Sequence, residues 1–196
     1  MNYLAHIYLS GKNDELKIGN FIADSVKGKT YKKYPDKIQE GIILHRKIDQ
    51  FTDTHPTVFK STHRLFPIYS HYASVIIDVL YDHFLAKNWA KYHDTSLAVY
   101  VDEFYYLLKT NFEILPKRVQ NFYPYMISQN WLLNYATIEG IEQILFQMNG
   151  RVKSKIQLHH SIKEFKADYS LFEAEFTSFF EELIQFSENE RKIIDL

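Results

Sequence analysis

The chain has 196 residues, 46% hydrophobic and 24% charged, with six Gly, five Pro and no Cys. That supplies core enough for one domain, too little turn-forming material for a strand-rich architecture, and neither disulfides nor thiolate metal ligands. The net charge of −1 conceals a gradient, +4 over residues 1–70 (11 basic, 7 acidic), 0 over 71–155 (8 and 8) and −5 over 156–196 (4 and 9), and the acidic tail argues against general nucleic-acid binding.

Apolar spacings of three and four residues recur nearly throughout, so the expected class is all-α, a single-domain helical bundle over residues 1–196. A first helix is expected over residues 2–10 and a second through Leu16, Ile18, Phe21 and Ile22 towards Val26. The segment 27–33 then reads as an exposed basic loop carrying Lys27, Lys29, Lys32 and Lys33, with Pro35 placed to start a helix over 36–51. His55-Pro56 restarts a short helix that Pro67 is expected to end. Residues 72–85 are apolar nearly all round and should form the central helix. Asp94-Thr95-Ser96 caps a helix running towards Leu115-Pro116, and helices over 122–135 and 137–149 follow, the second closed by Gly150. A long last helix over 155–186 buries Ile156, Ile162, Phe165, Tyr169, Phe172, Phe176, Phe179 and Leu183. The N-terminus lacks a secretory pattern and no run reaches the roughly 18 apolar residues of a membrane span, so a cytoplasmic protein without a membrane partner is expected.

The informative residues are polar ones in apolar surroundings, because a buried carboxylate needs a cation, a metal or several hydrogen bonds to offset its lost hydration. Asp78 and Asp82 stack on one face of the central helix, where their repulsion calls for a divalent cation or a nearby Arg. His45 and Asp49 repeat the i, i+4 spacing, suited to joint ligation or to a carboxylate that orients a ligand histidine. Asp24 ends the apolar run Phe21-Ile22-Ala23, and His6 sits on the amphipathic first helix. Such a nitrogen and oxygen set suits Mn²⁺, Fe²⁺, Mg²⁺ or Zn²⁺. Each residue also has an ordinary alternative: a packed histidine, a solvated helix end, a surface pair. His93-Asp94 is explained by capping, and His55, His63, His71, His159 and His160 carry no assigned chemistry.

Four blocks occur in order: Met1-Asn2-Tyr3-Leu4-Ala5-His6, Gly19-Asn20-Phe21-Ile22-Ala23-Asp24, Gly41-Ile42-Ile43-Leu44-His45-Arg46-Lys47-Ile48-Asp49 and Asp78-Val79-Leu80-Tyr81-Asp82-His83-Phe84-Leu85, with a weaker one at Gln129-Asn130-Trp131-Leu132. On these the chain resembles the acyl carrier protein phosphodiesterases, a divergent branch of the HD metal-dependent phosphohydrolase superfamily. The resemblance implies an HD-like helical fold, a divalent metal (Mn²⁺ first, Mg²⁺ or Fe²⁺ as alternatives), and holo-acyl carrier protein as substrate, cleaved to apo carrier protein and 4′-phosphopantetheine. The order Asp82-His83 reverses the usual His-Asp dipeptide. Asp24, His45, Asp49 and Asp82 are the expected metal ligands; Asp78, His83 and His6 are expected behind them or in proton transfer; Arg46 and Lys47 are candidate phosphate contacts. The basic segment becomes a candidate dock for the acidic carrier protein. A phosphohydrolase acting on a nucleotide or other small phosphoester, and a catalytically silent helical binding protein, are the competing readings.

Overall fold

The structure, a computed structural model, describes residues 1–151 and 156–194. The described residues contain eleven α-helices, joined in places by 3₁₀ turns, and no strand, as the apolar periodicity requires. In order these are α1 (Tyr3–Leu9), α2 (Asp14–Ile22), α3 (Asp36–Thr54), α4 (Pro56–Tyr69), α5 (Ala73–Lys87), α6 (Leu97–Thr110), α7 (Lys117–Ser128), α8 (Trp131–Asn134), α9 (Ile138–Met148), α10 (Ile162–Ala167) and α11 (Tyr169–Ile194). None of them is long and apolar enough to cross a membrane. The helix starts follow side-chain caps, with Asn13, Ser96 and Thr137 each accepting from a backbone N–H in the first turn.

The central position expected for residues 72–85 holds: α5 packs against α1, α4, α9 and α11, and its residues Ile76, Val79, Leu80, Tyr81, Phe84 and Leu85 are buried. From the other side α11 contributes Phe172, Phe176, Phe179, Phe180 and Leu183, all at 0% exposure, each burial worth roughly 1.5–3 kcal/mol.

Gly150 does not close α9, which ends at Met148 and passes through Asn149 into a 3₁₀ turn, Asn149–Arg151, and three larger departures from expectation follow. The helix expected over 122–135 is two, α7 and α8, because Asn130 adopts a left-handed conformation (φ 46°) that interrupts the ladder. The single helix expected over 155–186 is a 3₁₀ turn at Leu158–Ser161, then α10, then α11, which breaks at Asp168, where ψ is 26°; Lys155 itself lies outside the described residues. Pro67 sits inside α4 and does not end it. In a last turn it forfeits one backbone hydrogen bond, and the chain leaves the helix at Ser70, whose φ is 51°.

The α2–α3 crossing positions the site. A Cβ at Gly19 would fall 2.2 Å from the Ile38 carbonyl oxygen, and one at Gly41 would fall 2.5 Å from that of Leu16. Only two glycines let the helix backbones approach this closely. Asn20 follows one glycine directly and His45 lies one turn after the other, so the crossing carries both into the same buried layer.

Candidate metal centre

His6 comes from α1, Asn20 from α2, and His45 and Asp49 from α3. The imidazoles of His6 and His45 stack with centroids 3.9 Å apart and planes 21° from parallel. Both Nδ1 atoms meet one oxygen, Asn20 Oδ1, at 2.8 Å and 3.1 Å. The network around that oxygen decides the protons. The Ser10 hydroxyl donates to the His6 carbonyl at 2.8 Å, so its oxygen is left to accept from Asn20 Nδ2 at 3.0 Å. The other end of the amide is therefore an acceptor, and both imidazoles donate Nδ1–H to it. Both Nε2 atoms then turn the other way, towards carboxylates. His45 Nε2 lies 3.0 Å from Asp49 Oδ2 and 3.4 Å from Asp24 Oδ1. His6 Nε2 lies 3.2 Å from Asp49 Oδ1 yet, though buried, makes no hydrogen bond.

One ligand atom each from His6, His45 and Asp49 lies within 4.8 Å of the others, so the three form a group that can hold a divalent metal. The donor chemistry fits: two imidazole nitrogens whose outer N–H groups are anchored, an orphaned buried Nε2, and carboxylate oxygens with no thiol. Asp24, on the 3₁₀ turn Ala23–Ser25 that ends α2, adds an exposed carboxylate at the rim.

The electrostatics agree. Burial pushes His6 down to about 4, helped by the neighbouring His45. Burial also opposes charge on His45, but Asp24 and Asp49 outweigh it and push this imidazole up to about 9. Burial disfavours the Asp49 charge as well, yet the two imidazoles hold its carboxyl well below the usual carboxylate range. Its bond with His45 lowers Asp24 too. A proton on His45 Nε2 and a divalent cation thus compete for one negative pocket.

Of the expected ligands, the structure gathers His45 and Asp49, with Asp24 at the rim, and joins to them His6, which was expected behind the ligands. Asp82 is used differently. It is fully buried and accepts from the backbone N–H groups of Asn2 at 3.1 Å, Leu4 at 2.8 Å and Ala5 at 3.4 Å, so it caps α1. Asp78 lies 2.8 Å from the Met1 amino group. The repulsion between Asp78 and Asp82 is thus relieved by an ammonium and a helix end, which needs neither the metal nor the Arg expected between them. His83 is spent on structure: Nδ1 donates to the Tyr135 carbonyl at 2.8 Å and Nε2 sits 2.9 Å from the Tyr169 hydroxyl, tying α5 to the chain after α8 and to α11.

The phosphate contacts expected of Arg46 and Lys47 are also redirected. Arg46 donates to the carbonyls of Val26 (3.2 Å) and Gly28 (2.9 Å) and lies over the Tyr31 ring, pinning the start of the basic segment. Lys47 pairs with Glu190 of α11. Lys27, Lys29, Lys32 and Lys33 are exposed, the last two on a 3₁₀ turn, Thr30–Lys33. The sequence reading missed Asn20 and Ser10. A polar residue inside the run Ile18-Gly19-Asn20-Phe21-Ile22 was the available signal, since an amide there must find partners inside the protein.

Residues 1–183 match the family described as acyl carrier protein phosphodiesterase. Proteins of that name from Photorhabdus laumondii (32% identical, 96% of each chain covered), Pectobacterium atrosepticum (31%, 97% of this chain and 100% of the relative) and Yersinia enterocolitica (33%, 92% and 94%) are similar to it. No solved structure matches. The group of His6, His45 and Asp49 that can hold a metal thus lies in a chain that belongs, over nearly its whole length, to the acyl carrier protein phosphodiesterase family.

Proposed function

We propose that this chain hydrolyses the phosphodiester joining 4′-phosphopantetheine to a serine of holo-acyl carrier protein, releasing apo carrier protein and 4′-phosphopantetheine. One observation carries the metal-dependent part of this reading: Asn20 takes both Nδ1–H groups, which leaves both Nε2 atoms facing Asp49. His6, His45 and Asp49 would hold the ion, Mn²⁺ before Mg²⁺ or Fe²⁺, and Asp24 would complete or share its coordination. When bound, such an ion makes hydroxide available near neutral pH and neutralises charge on the phosphoryl oxygens.

The remaining work falls to side chains. In the hydrolysis, the oxygen of water bonds to phosphorus, the bond from phosphorus to the serine oxygen breaks, and a proton goes to that serine oxygen. Asp78 is the group we assign to proton transfer. It lines the same cleft as Asp24, and burial pushes its carboxyl up against the pull of the Met1 ammonium. The two stacked imidazoles, with Nδ1 fixed, hold geometry and do not shuttle protons. Segment 27–33 begins three residues after Asp24 and meets the carrier protein's acidic surface, which is consistent with an intracellular enzyme.

Incubation with holo-acyl carrier protein and Mn²⁺, followed by intact-mass measurement, tests the reading. Loss of the phosphopantetheine arm supports it; an unchanged carrier protein, with a small phosphodiester or nucleotide cleaved instead, favours the broader phosphohydrolase. Reversing charge at Lys29, Lys32 and Lys33 should raise KM for holo carrier protein about tenfold at low salt, less at high salt, and leave a small phosphodiester unaffected. Equal effects on both substrates would remove the docking role.

A further inference from the structure

A cleft of about 440 Å³ opens beside the cluster, with Asp24 in its wall. Its size falls within the roughly 300–1,000 Å³ usual for small-molecule sites. Asp24 also lies 3.4 Å from His45 Nε2, so the cleft and the candidate metal centre share this residue. Trp131, Ile144 and Met148 give it an apolar wall, while Gln147 adds an amide. Such a surface suits an extended aliphatic chain that carries a few amide groups.

Arg118 is its one basic side chain. It stands in the first turn of α7, exposed, and pairs with no carboxylate among the described residues. The nearby Asp78 is already engaged by the Met1 amino group. A guanidinium with free donors at the rim of a cleft is equipped to take a phosphate in a forked contact, the task that Arg46 and Lys47 are too occupied to perform. None of the lysines of segment 27–33 lines the cleft. Two surfaces of different chemistry therefore meet at Asp24, one basic and exposed, the other largely apolar and concave.

We infer that the cleft seats the pantetheine arm, with Arg118 gripping its phosphate end, so that the carrier protein lies on the basic side of Asp24 and the arm on the other. The inference rests on the phosphodiesterase reading above.

The chain holds three methionines, which makes a direct test available. Met1 and Met148 line the cleft, whereas Met126 is 0% exposed and does not. In Mg²⁺-loaded protein labelled with ¹³C at the methionine methyls, free 4′-phosphopantetheine should shift the Met1 and Met148 signals and leave Met126 in place. Pantetheine, lacking the phosphate, should bind more weakly, and Arg118→Ala should shrink that difference about tenfold, leaving the part that the metal supplies. Ile144→Trp should fill the cleft and suppress the shifts; should that variant fail to fold, the wild-type methyl map and Arg118→Ala still decide. A silent Met148, or an Arg118→Ala variant whose preference for the phosphorylated ligand is undiminished, overturns the inference. If wild-type protein strips holo carrier protein while Met148 stays silent, the arm site alone is wrong. If holo carrier protein is left intact with Mn²⁺, the activity is wrong and the arm site falls with it.

Discussion

Two helices of this protein carry a pair of titratable side chains at the same i, i+4 spacing, and the fold uses them oppositely. On α3, His45 and Asp49 face a second imidazole, and the group is short of donors: His6 Nε2 has no hydrogen bond, and the ion-pair partners of Asp49 among the described residues are the two imidazoles. On α5, Asp78 and Asp82 face the start of α1, where an ammonium and three backbone N–H groups meet their oxygens. The difference teaches that like spacing marks a need for compensation, and the neighbouring element decides whether the compensation is already covalently part of the chain. A pair left short of donors can bind a cation. A pair supplied with them needs no metal.

Breaking the first member of the comparison should have the largest effect. Asp49→Ala removes the oxygens that both Nε2 atoms face, and turnover of holo carrier protein should fall to background together with divalent-metal content by elemental analysis, while the circular dichroism spectrum stays helical. Retained metal in that variant would move the centre elsewhere. Breaking the second member should do the reverse. Asp82→Ala leaves buried N–H groups of α1 without an acceptor, at a cost of about 2–3 kcal/mol in urea unfolding; metal bound per folded molecule should be unchanged. Loss of metal without loss of stability would return Asp82 to the ligand set.

The support behind the ligands gives a sharper and smaller test. Asn20→Ala frees both imidazoles to rotate, and loss of an outer partner of this kind lowers metal affinity by about 10–100-fold. A metal titration monitored by calorimetry reads it directly. The smallest effect is a pH slope. Burial pushes Asp82 up to about 7, against the backbone hydrogen bonds that favour its charge. Since its folded-state value lies above the unfolded one of 3.8, the contribution of this group is present in full below about pH 4 and is lost as the pH rises through about 7. The stability advantage of the wild type over Asp82→Asn should therefore be larger at pH 5 than at pH 8 in paired urea titrations.

Much of the fold was legible. The all-α class follows from apolar spacing, and Asn13, Ser96 and Thr137 announce helix starts through side chains that compete for backbone donors. The long last helix misled because Asp168 interrupts a phenylalanine stripe whose period continues across it, with Phe165 and Phe172 both buried. At the site, His45 and Asp49 were legible as a pair. The contacts of Arg46 were not legible for a physical reason: a guanidinium next in sequence to His45 points a hundred degrees round the helix, here to the carbonyls of Val26 and Gly28.

The sequence by itself determined which residues share a helix face, because 3.6 residues per turn is a local rule that needs no partner. It therefore settled that His45 lies beside Asp49 and Asp78 beside Asp82. Only the tertiary structure decided what each pair meets, since the deciding contacts span 14 residues from His6 to Asn20, 25 from Asn20 to His45 and 78 from Leu4 to Asp82. Those contacts depend on a helix crossing that two glycines permit and on which helix end happens to lie above a buried carboxylate. A carboxylate becomes a cap or a ligand according to the number of donors the fold brings to it, and that count is made in space.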